Sequence, residues 1–496
     1  MIAYKNFTLK VLHIAPECSP LAKKGGLGDV VGTLPKALKK QSIDARVLIP
    51  AWPGVLEKAE EIGRLKREPI GEISVALNWR AYTASVLEAE VNGLHIYLLD
   101  QPELFSDPCI YPEKLDAVTV LPFIFLSFAP FELLRLTGWK PQFLHAHDWT
   151  TAPVSAALKW HRYYSYFNGD YDTVFTIHNL AFQGIISPSV LEGWGFSPRA
   201  FSNLDTDSLE YFGQVNMMKG AITTTEAFTT VSPNYSWDIQ TPNGGLGLDG
   251  VIVAHKNKLR GIINGIDYDV WNPKTDSLLP ANYSIGDMGG KEECRRALLK
   301  ECGWKEDRRP ILIFVGRLTE QKGIDIMLDA VRPFLAKKAR FVIVGSGNDL
   351  YTRKVFEFRK EYPHSVVQRG QGTSRIRRRR HASDALALRT LRTFTADSLR
   401  LRNNPCCKGN RRTCRYRYRR RRIAGRYGIP FQGLFPRRAS KGDRPGFGGQ
   451  RRRHEMGRHN QKRHGLRFFM GQFCKGLRGA LQGHPYVRLI FYITET

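Results

Sequence analysis

The chain has 496 residues, enough for two or three domains, and carries 75 Lys and Arg residues against 46 Asp and Glu residues, a formal net charge of +29. The excess lies at one end, because residues 369–496 hold 34 of the basic and 5 of the acidic residues and leave 41 of each in residues 1–368. A basic protein ordinarily suggests a nucleic-acid or anionic-membrane partner, and the balanced charge of residues 1–368 excludes that inference for most of the chain.

Other bulk features indicate a cytoplasmic protein without a membrane partner. The 8 cysteines form no C-x-x-C pair, which favours reduced thiols over a zinc site or a disulfide framework. Residues 1–12 are too short and too polar for a signal peptide. The apolar run 118–136 is interrupted by prolines and charged residues, so it predicts a buried helix and not a membrane span.

Short apolar runs alternate with helical stretches in the first part of the chain. Strands are predicted at residues 10–15, 46–50, 93–99, 143–145 and 173–177. Helices are predicted at residues 29–40, where Asp29 is the expected N-cap, and at residues 151–161. This alternation is typical of a doubly wound α/β sheet.

The α/β pattern begins again after a turn at residues 264–267. A helix at 291–301, a strand at 311–315, a helix at 324–337 and a strand at 341–344 are predicted before the pattern ends near Val367. We therefore predict one domain over 1–265 and an incomplete second domain over 266–368. The Arg-rich residues 369–496 contain like-charge blocks that repel one another, so we expect them to be disordered.

A glycine-rich loop follows the first predicted strand. It reads Lys23-Lys24-Gly25-Gly26-Leu27-Gly28-Asp29 and leads into a helix. Glycines allow backbone N–H groups to approach an anion, and a helix N-terminus and a lysine add positive charge. The loop is neither G-x-G-x-x-G nor a Walker sequence, so an ordinary glycine-rich turn remains an equal alternative on spacing alone.

Histidines and an aspartate follow two further predicted strands. His145, His147 and Asp148 end one strand, and His178 follows the next. Doubly wound sheets bind ligands at the carboxyl ends of their strands, so these side chains are candidates for a binding site. A single histidine is more often structural, and the grouping of three with an aspartate favours the functional interpretation.

Two metal interpretations are weak. A zinc site near the histidines is conceivable, but their spacing gives no ligand geometry. The sequence Asp205-Thr206-Asp207 looks like the D-x-D of metal-dependent glycosyltransferases, yet it lies in a polar stretch with nothing else that suggests a metal. We interpret it as a coincidence and expect no metal or other cofactor.

A basic loop follows the first strand of the second unit. In Val315-Gly316-Arg317-Leu318-Thr319-Glu320-Gln321-Lys322-Gly323, Arg317 and Lys322 are expected to point toward a cleft between the domains. Two cations there suit a diphosphate leaving group without a metal. The alternative is a solvated basic loop.

Four of these motifs are the glycine-rich loop, the two strand ends that carry His147 and His178, and the basic loop. Together with N-G-I-D at residues 264–267, they resemble in order and spacing those of the bacterial glycogen synthase and starch synthase family. The resemblance covers residues 10–367, close to three quarters of the chain. It implies the GT-B fold, in which two Rossmann-like domains face a cleft that holds the active site. It also implies transfer of glucose from ADP-glucose to the non-reducing 4-OH of an α-1,4-glucan such as glycogen, with retention of configuration.

The resemblance also assigns roles to individual residues around a donor sugar nucleotide. In chain order these are donor contacts from Lys23, Gly25 and Gly26 with Asp29 behind them, Asp148 and His178 near the sugar, Asn264 near the cleft, and Arg317 and Lys322 on the diphosphate. Fixed cations would stabilise the charge that develops on the departing diphosphate in a closed cleft.

The family's continuation after Val367 is missing from the chain. An E-P-C-G-L segment and then G-T-x-P-V-V-x-x-T-G-G-L are expected, and neither occurs. Codons can be chosen for residues 402–416 that, read one nucleotide later, encode G-T-I-P-V-V-R-A-T-G-G-L-A-D. We therefore predict a frameshift between about Val367 and Arg402, natural or from sequencing, that removes half of the nucleotide-binding domain and most of the activity.

Two alternatives stay open at this point. One is an inactive N-terminal fragment whose basic tail binds nucleic acid, although the tail has few aromatic residues and no nucleic-acid-binding motif, which argues against an evolved nucleic-acid partner. The other is a synthase that uses UDP-glucose, although K-x-G-G-L-G-D is closer to the ADP-glucose branch.

Overall fold

The computed structural model describes residues 9–336 and 339–369, which form two α/β units. The first unit is built on a ten-stranded sheet and the second on a three-stranded sheet. The Arg-rich tail beyond Arg369 lies outside the described residues, so its predicted disorder and reading frame stay predictions.

The first unit has a mostly parallel central sheet with an antiparallel edge. The strands in chain order are β1 (Lys10–Ile14), β2 (Asp44–Pro50), β3 (Arg64–Leu65), β4 (Gly71–Leu77), β5 (Arg80–Val91), β6 (Leu94–Asp100), β7 (Phe143–His147), β8 (Asp172–Ile177), β9 (Ile185–Ile186), β10 (Glu210–Tyr211), β11 (Gln214–Asn216), β12 (Ala227–Thr230) and β13 (Leu259–Gly261). In spatial order the path of the sheet is β13-β12-β8-β7-β1-β2-β6-β5-β3, with β4 paired to β5, while β9, β10 and β11 form a separate small sheet.

Helices pack against this sheet, so the central strands are buried along nearly their whole length. The helices are α1 (Gly26–Lys39), α2 (Val55–Ile62), α3 (Leu121–Thr137), α4 (Pro153–Trp160), α5 (Met217–Thr224), α6 (Pro233–Asp238) and α7 (Asp249–Ala254). Helix α3 is the apolar run noted in the sequence, and every residue from Phe123 to Leu134 is buried. Within residues 9–336 and 339–369, no helix is long and apolar enough to cross a membrane.

The start of α1 differs from the sequence prediction. Asp29 is not the N-cap, because the helix begins at Gly26 and Gly25 is its N-cap residue. The side chain of Glu17, outside the helix, accepts hydrogen bonds from the backbone N–H groups of Lys24 and Gly25 and takes over the capping role. Asp29 lies in the first helical turn, where a carboxylate interacts favourably with the helix dipole.

The antiparallel hairpin β4–β5 was not predicted from the sequence. Asn78 and Trp79 connect its strands with φ angles of 51° and 66°, the left-handed geometry of a two-residue hairpin turn. The hairpin extends the parallel sheet at the edge remote from β8 and β12, so it does not contribute to the strand ends described below.

The second unit is a parallel three-stranded sheet in the order β14-β15-β16. Its elements are α8 (Gly289–Glu301), β14 (Ile311–Val315), α9 (Ile324–Ala336), β15 (Arg340–Val344), α10 (Asp349–Glu361) and β16 (Val366–Arg369). The predicted helix at 291–301 and the strands at 311–315 and 341–344 are confirmed within one or two residues. The domain boundaries at residues 265 and 368 stay predictions.

Two loops at the carboxyl ends of β14 and β15 lie directly against each other. The N–H of Leu318 donates to the carbonyl oxygen of Ser346 at 2.9 Å. A Cβ atom on Gly345 would lie 1.8 Å from the carbonyl oxygen of Gly316. Glycine at position 345 therefore permits the backbone contact that holds the loop carrying Arg317.

Substitution of Gly345 by alanine should disrupt this contact. We expect Gly345→Ala to destabilise the second unit by about 1–3 kcal/mol, because the added methyl group must displace a backbone carbonyl. Amide hydrogen exchange in β14 and β15 measures the effect. Gly316→Ala is the matched control, since its Cβ would meet the Phe314 ring at an ordinary 3.6 Å; equal protection in the two variants would contradict the prediction.

Candidate active site

The glycine-rich loop is organised around a buried carboxylate. Glu17 is 1% exposed, and its Oε2 accepts hydrogen bonds from the backbone N–H groups of Lys24 at 2.5 Å and Gly25 at 3.0 Å. Its Oε1 accepts a hydrogen bond from the Tyr111 hydroxyl at 2.5 Å. Of the two glycines expected to meet a ligand anion, Gly25 therefore has its amide engaged by the protein, which leaves Lys23 and the start of α1 at Gly26 as the positive elements of the loop.

Lys23 is held on the surface of this loop by an ion pair. Its Nζ lies 2.5 Å from Oδ1 of Asp29, and both side chains are more than one third exposed. An exposed pair of this kind contributes little to stability. The ion pair therefore leaves Lys23 accessible at the surface of the loop.

Asp148 joins the ends of β7 and β8. Its φ angle is 57°, and its backbone N–H donates to the carbonyl oxygen of Thr176 at 2.9 Å. Its Oδ1 accepts from the backbone N–H groups of His178 at 2.7 Å and Asn179 at 3.2 Å. The structure therefore brings Asp148 and His178 together at one edge of the sheet, as the strand-end argument expects.

A cluster of four histidines lies beneath this edge. His13 Nδ1 is 3.3 Å from His147 Nε2, and His147 Nδ1 is 3.1 Å from His178 Nε2. His145 Nε2 is 2.7 Å from Thr176 Oγ1. Burial lowers the pKa of His13 and His178 to about 3 and the pKa of His145 and His147 well below the ordinary value, so all four imidazoles are neutral at pH 7.

Three of these histidines form the one group in the described ranges that could hold a metal ion. The ligand nitrogens of His13, His145 and His147 lie within 4.8 Å of one another, whereas two ligands of a tetrahedral zinc ion are about 3.4 Å apart. Asp207, in the D-x-D sequence, already contacts two basic side chains. Its Oδ2 lies 3.5 Å from Lys159 Nζ, and its Oδ1 lies 3.3 Å from His255 Nε2. The expectation that no metal is needed stays a prediction.

Arg317 and Lys322 lie on the loop after β14, with Arg317 exposed and Lys322 half-buried. Gln321 on the same loop donates a hydrogen bond to Asn179 Oδ1 at 3.4 Å, which connects this loop to the end of β8. Burial raises the pKa of Tyr111 well above its ordinary value, the Glu17 and Asp148 carboxylates act in the same direction, and Arg317 acts in the opposite one.

Asn264 lies in the segment that connects the two units and is 9% exposed. In the same segment, Oδ2 of Asp267 is 3.1 Å from Nζ of Lys36 on α1, in an ion pair that is largely buried. The connecting segment is thus fastened to the helix that begins at the glycine-rich loop.

Sequence reasoning missed two residues of the site, Glu17 and Tyr111. Glu17 follows β1 by three positions, and an acidic residue immediately after a buried strand was a usable signal. Tyr111 lies in a long irregular segment between β6 and α3, where no periodicity indicates which side chains turn inward. Its position is set only by the tertiary structure.

The buried histidines predict a loss of stability in mild acid. The unfolded chain takes up protons as the pH falls below about 6.5, whereas the folded chain does not until the pH nears the lowered pKa values, so the free energy of unfolding should fall over this window. Each buried histidine contributes up to about 1.4 kcal/mol per pH unit. Urea unfolding at pH 7, 6 and 5 measures the change, and an unchanged free energy of unfolding would contradict the neutral, buried assignment.

Comparison with known proteins agrees with the motifs. Residues 10–254 match the family described as "Starch synthase catalytic domain", and residues 309–392 match "Glycosyl transferases group 1". The second match ends at residue 392, inside the interval proposed for the frameshift.

Curated relatives and a solved structure extend this similarity. The chain is 38% identical to the glycogen synthase of Geotalea daltonii over 71% of this chain and 72% of that protein. It is 38% identical to the glycogen synthase of Thermus thermophilus over 72% of this chain and 74% of that protein.

Among solved structures, the catalytic domain of starch synthase IV from Arabidopsis thaliana, bound to ADP and acarbose, superposes with a TM-score of 0.68 at 30% identity, covering 78% of this chain and 77% of that chain. The chain accordingly belongs to the glycogen synthase and starch synthase family of glycosyltransferases and has its GT-B type of α/β fold.

Proposed function

We propose that this chain derives from a retaining glucosyltransferase that moves glucose from ADP-glucose to the non-reducing 4-OH of an α-1,4-glucan such as glycogen. Its relatives are glycogen synthases, and the Arabidopsis starch synthase that it resembles binds ADP and acarbose. The same proposal makes the protein cytoplasmic, since the cysteines Cys18, Cys109 and Cys294 are free thiols, as in a reducing compartment.

The observation that carries the proposal is the hydrogen bond that joins the loop carrying Arg317 and Lys322 to the end of β8, from Gln321 to Asn179 Oδ1 at 3.4 Å. The Tyr111 hydroxyl donates to Glu17, which holds the loop carrying Lys23. Lys23 itself contacts Asp29. A diphosphate placed between the loop carrying Lys23 and the loop carrying Arg317 would pair with cations of both units.

The chemistry requires charge stabilisation at two points. When the anomeric bond breaks, negative charge grows on the nucleotide diphosphate, where Lys23, Arg317 and Lys322 would stabilise it. Positive character grows on the sugar, where the Asp148 carboxylate would stabilise it. Neutral His178 adds no charge to the site and can hydrogen-bond a sugar hydroxyl.

We further propose that the chain as written has little activity. The C-terminal half of the nucleotide-binding domain, including its glutamates near the donor, would be encoded in another frame after about Val367 to Arg402. The family match ends at residue 392, which lies within this interval. A first domain that folds around its own core would survive such a change.

Correction of the reading frame should restore transfer. Sequencing the gene across codons 365–402 should identify a one-base change that opens a family-like frame, and the corrected protein should transfer glucose to glycogen faster from ADP-glucose than from UDP-glucose. The uncorrected chain, assayed in parallel, is expected to be nearly inactive. Robust turnover by the uncorrected chain would contradict the proposed loss, and a preference for UDP-glucose would contradict the proposed donor.

Removal of either basic element should impair the corrected enzyme. We expect Lys23→Ala and Arg317→Ala each to reduce kcat by about 10²–10³-fold, because each removes a fixed charge from the leaving group. Lys24→Ala is the matched control: its side chain is exposed, and it is the Lys24 backbone, unaffected by the substitution, that bonds to Glu17. Equal activity of Lys23→Ala and Lys24→Ala would remove Lys23 from the site.

A further inference from the structure

Three of the buried histidines form one continuous hydrogen-bonded line. His13 on β1 is linked to His147 at the end of β7, and His147 is linked to His178 just after β8, with N–N distances of 3.3 Å and 3.1 Å. His13 and His147 are completely buried, whereas His178 is partly exposed beside Asp148. The line therefore runs from the interior of the sheet to the candidate active site.

The atoms at each link restrict the rings to one shared tautomer. At both links, Nδ1 of the inner ring faces Nε2 of the outer ring. A neutral imidazole carries one N–H and one lone pair, so each hydrogen bond needs a donor on one side and an acceptor on the other. His147 takes part in both links, and consequently all three rings carry their hydrogen on Nδ1 or all three carry it on Nε2.

The two ends of the line decide between these arrangements. His13 Nε2 and His178 Nδ1 are both buried atoms without a hydrogen-bond partner among the described residues. If every ring carried its hydrogen on Nε2, an N–H group of His13 would remain buried with no acceptor, an arrangement that folded proteins rarely contain. If every ring carries it on Nδ1, His13 leaves only a lone pair unused, and the N–H without an acceptor among the described residues is that of His178, at the partly exposed end of the line beside Asp148, where a bound ligand can supply the acceptor.

We propose that His13 and His147 are positioning residues that hold His178 in its Nδ1–H tautomer and so fix it as a hydrogen-bond donor toward a hydroxyl oxygen of the bound hexose. The identity of that ligand rests on the proposed function. The shared tautomer does not, because the coupling of the three rings follows from their hydrogen bonds and the choice of Nδ1 follows from the complete burial of His13. A lone His178 could exchange its donor and acceptor nitrogens, and the line removes that freedom before the sugar binds.

A zinc ion is the competing occupant of this cluster, because His13, His147 and His145 could reach one metal after rearrangement. His147 already uses both of its ring nitrogens in hydrogen bonds, Nε2 with His13 at 3.3 Å and Nδ1 with His178 at 3.1 Å, so neither nitrogen is left for a metal ion. The observed geometry therefore favours hydrogen bonds over metal ligation.

The test is nitrogen NMR on the unliganded full chain, labelled with ¹⁵N-histidine. We expect Nδ1 of His178 to be protonated and its Nε2 unprotonated. We also expect two nitrogen–nitrogen couplings through hydrogen bonds, with His13 Nδ1 and His147 Nδ1 as the donors. His147→Leu should lose both couplings, and His161→Leu, a buried histidine outside the line, should keep both.

The proposal would be overturned if His178 were protonated on Nε2, if the hydrogen-bond donors were the Nε2 atoms, or if both couplings persisted in His147→Leu. Zinc bound in a one-to-one ratio in the same sample would overturn it in favour of a metal site. If His147→Leu does not fold, the wild-type spectrum alone decides. Addition of ADP-glucose is a separate arm: an unchanged His178 Nδ1–H resonance would count against the proposed function and would leave the tautomer result standing.

Discussion

The parallel pairing of β1, β7 and β8 is the constraint on which the candidate site depends. His13 is opposite His145 in the register of β1 and β7, and His147 is opposite Thr176 in the register of β7 and β8. Because of this register, β1, β7 and β8 all end at the same edge of the sheet. A shift of one residue in any of them would turn the polar side chains to the other face and separate the line of histidines.

At this edge of the sheet the buried side chains are polar as well as the exposed ones, which is unusual for a buried parallel sheet. Thr176 bonds to His145 on one side and to Thr229 on the other, each at 2.7 Å. Buried polar groups are tolerated where they are hydrogen-bonded, and a satisfied network fixes a single arrangement of side chains. The site is thus supported by a rigid layer, whereas Lys23 and Arg317 lie on loops and are more exposed.

The sequence allowed the parallel strands and the motifs at their ends to be predicted, because continuous apolar runs and glycines carry local signals. It placed Asp148 and His178 at neighbouring strand ends, and the structure confirms that contact. It placed the N-cap of α1 at Asp29, which is wrong because Glu17, twelve positions earlier in the chain, supplies the cap. The position of Tyr111 and the tautomeric coupling of the histidines depend on contacts between distant segments of the chain. No local sequence pattern predicts such contacts.

The central claim is that one diphosphate is bound between the two units by cations from both. The most direct measurement is a crystal structure of the frame-corrected protein with ADP. The account predicts phosphate oxygens within hydrogen-bond distance of Lys23 on one side and of Arg317 on the other. ADP bound away from this position, or held by only one of the two units, would contradict it.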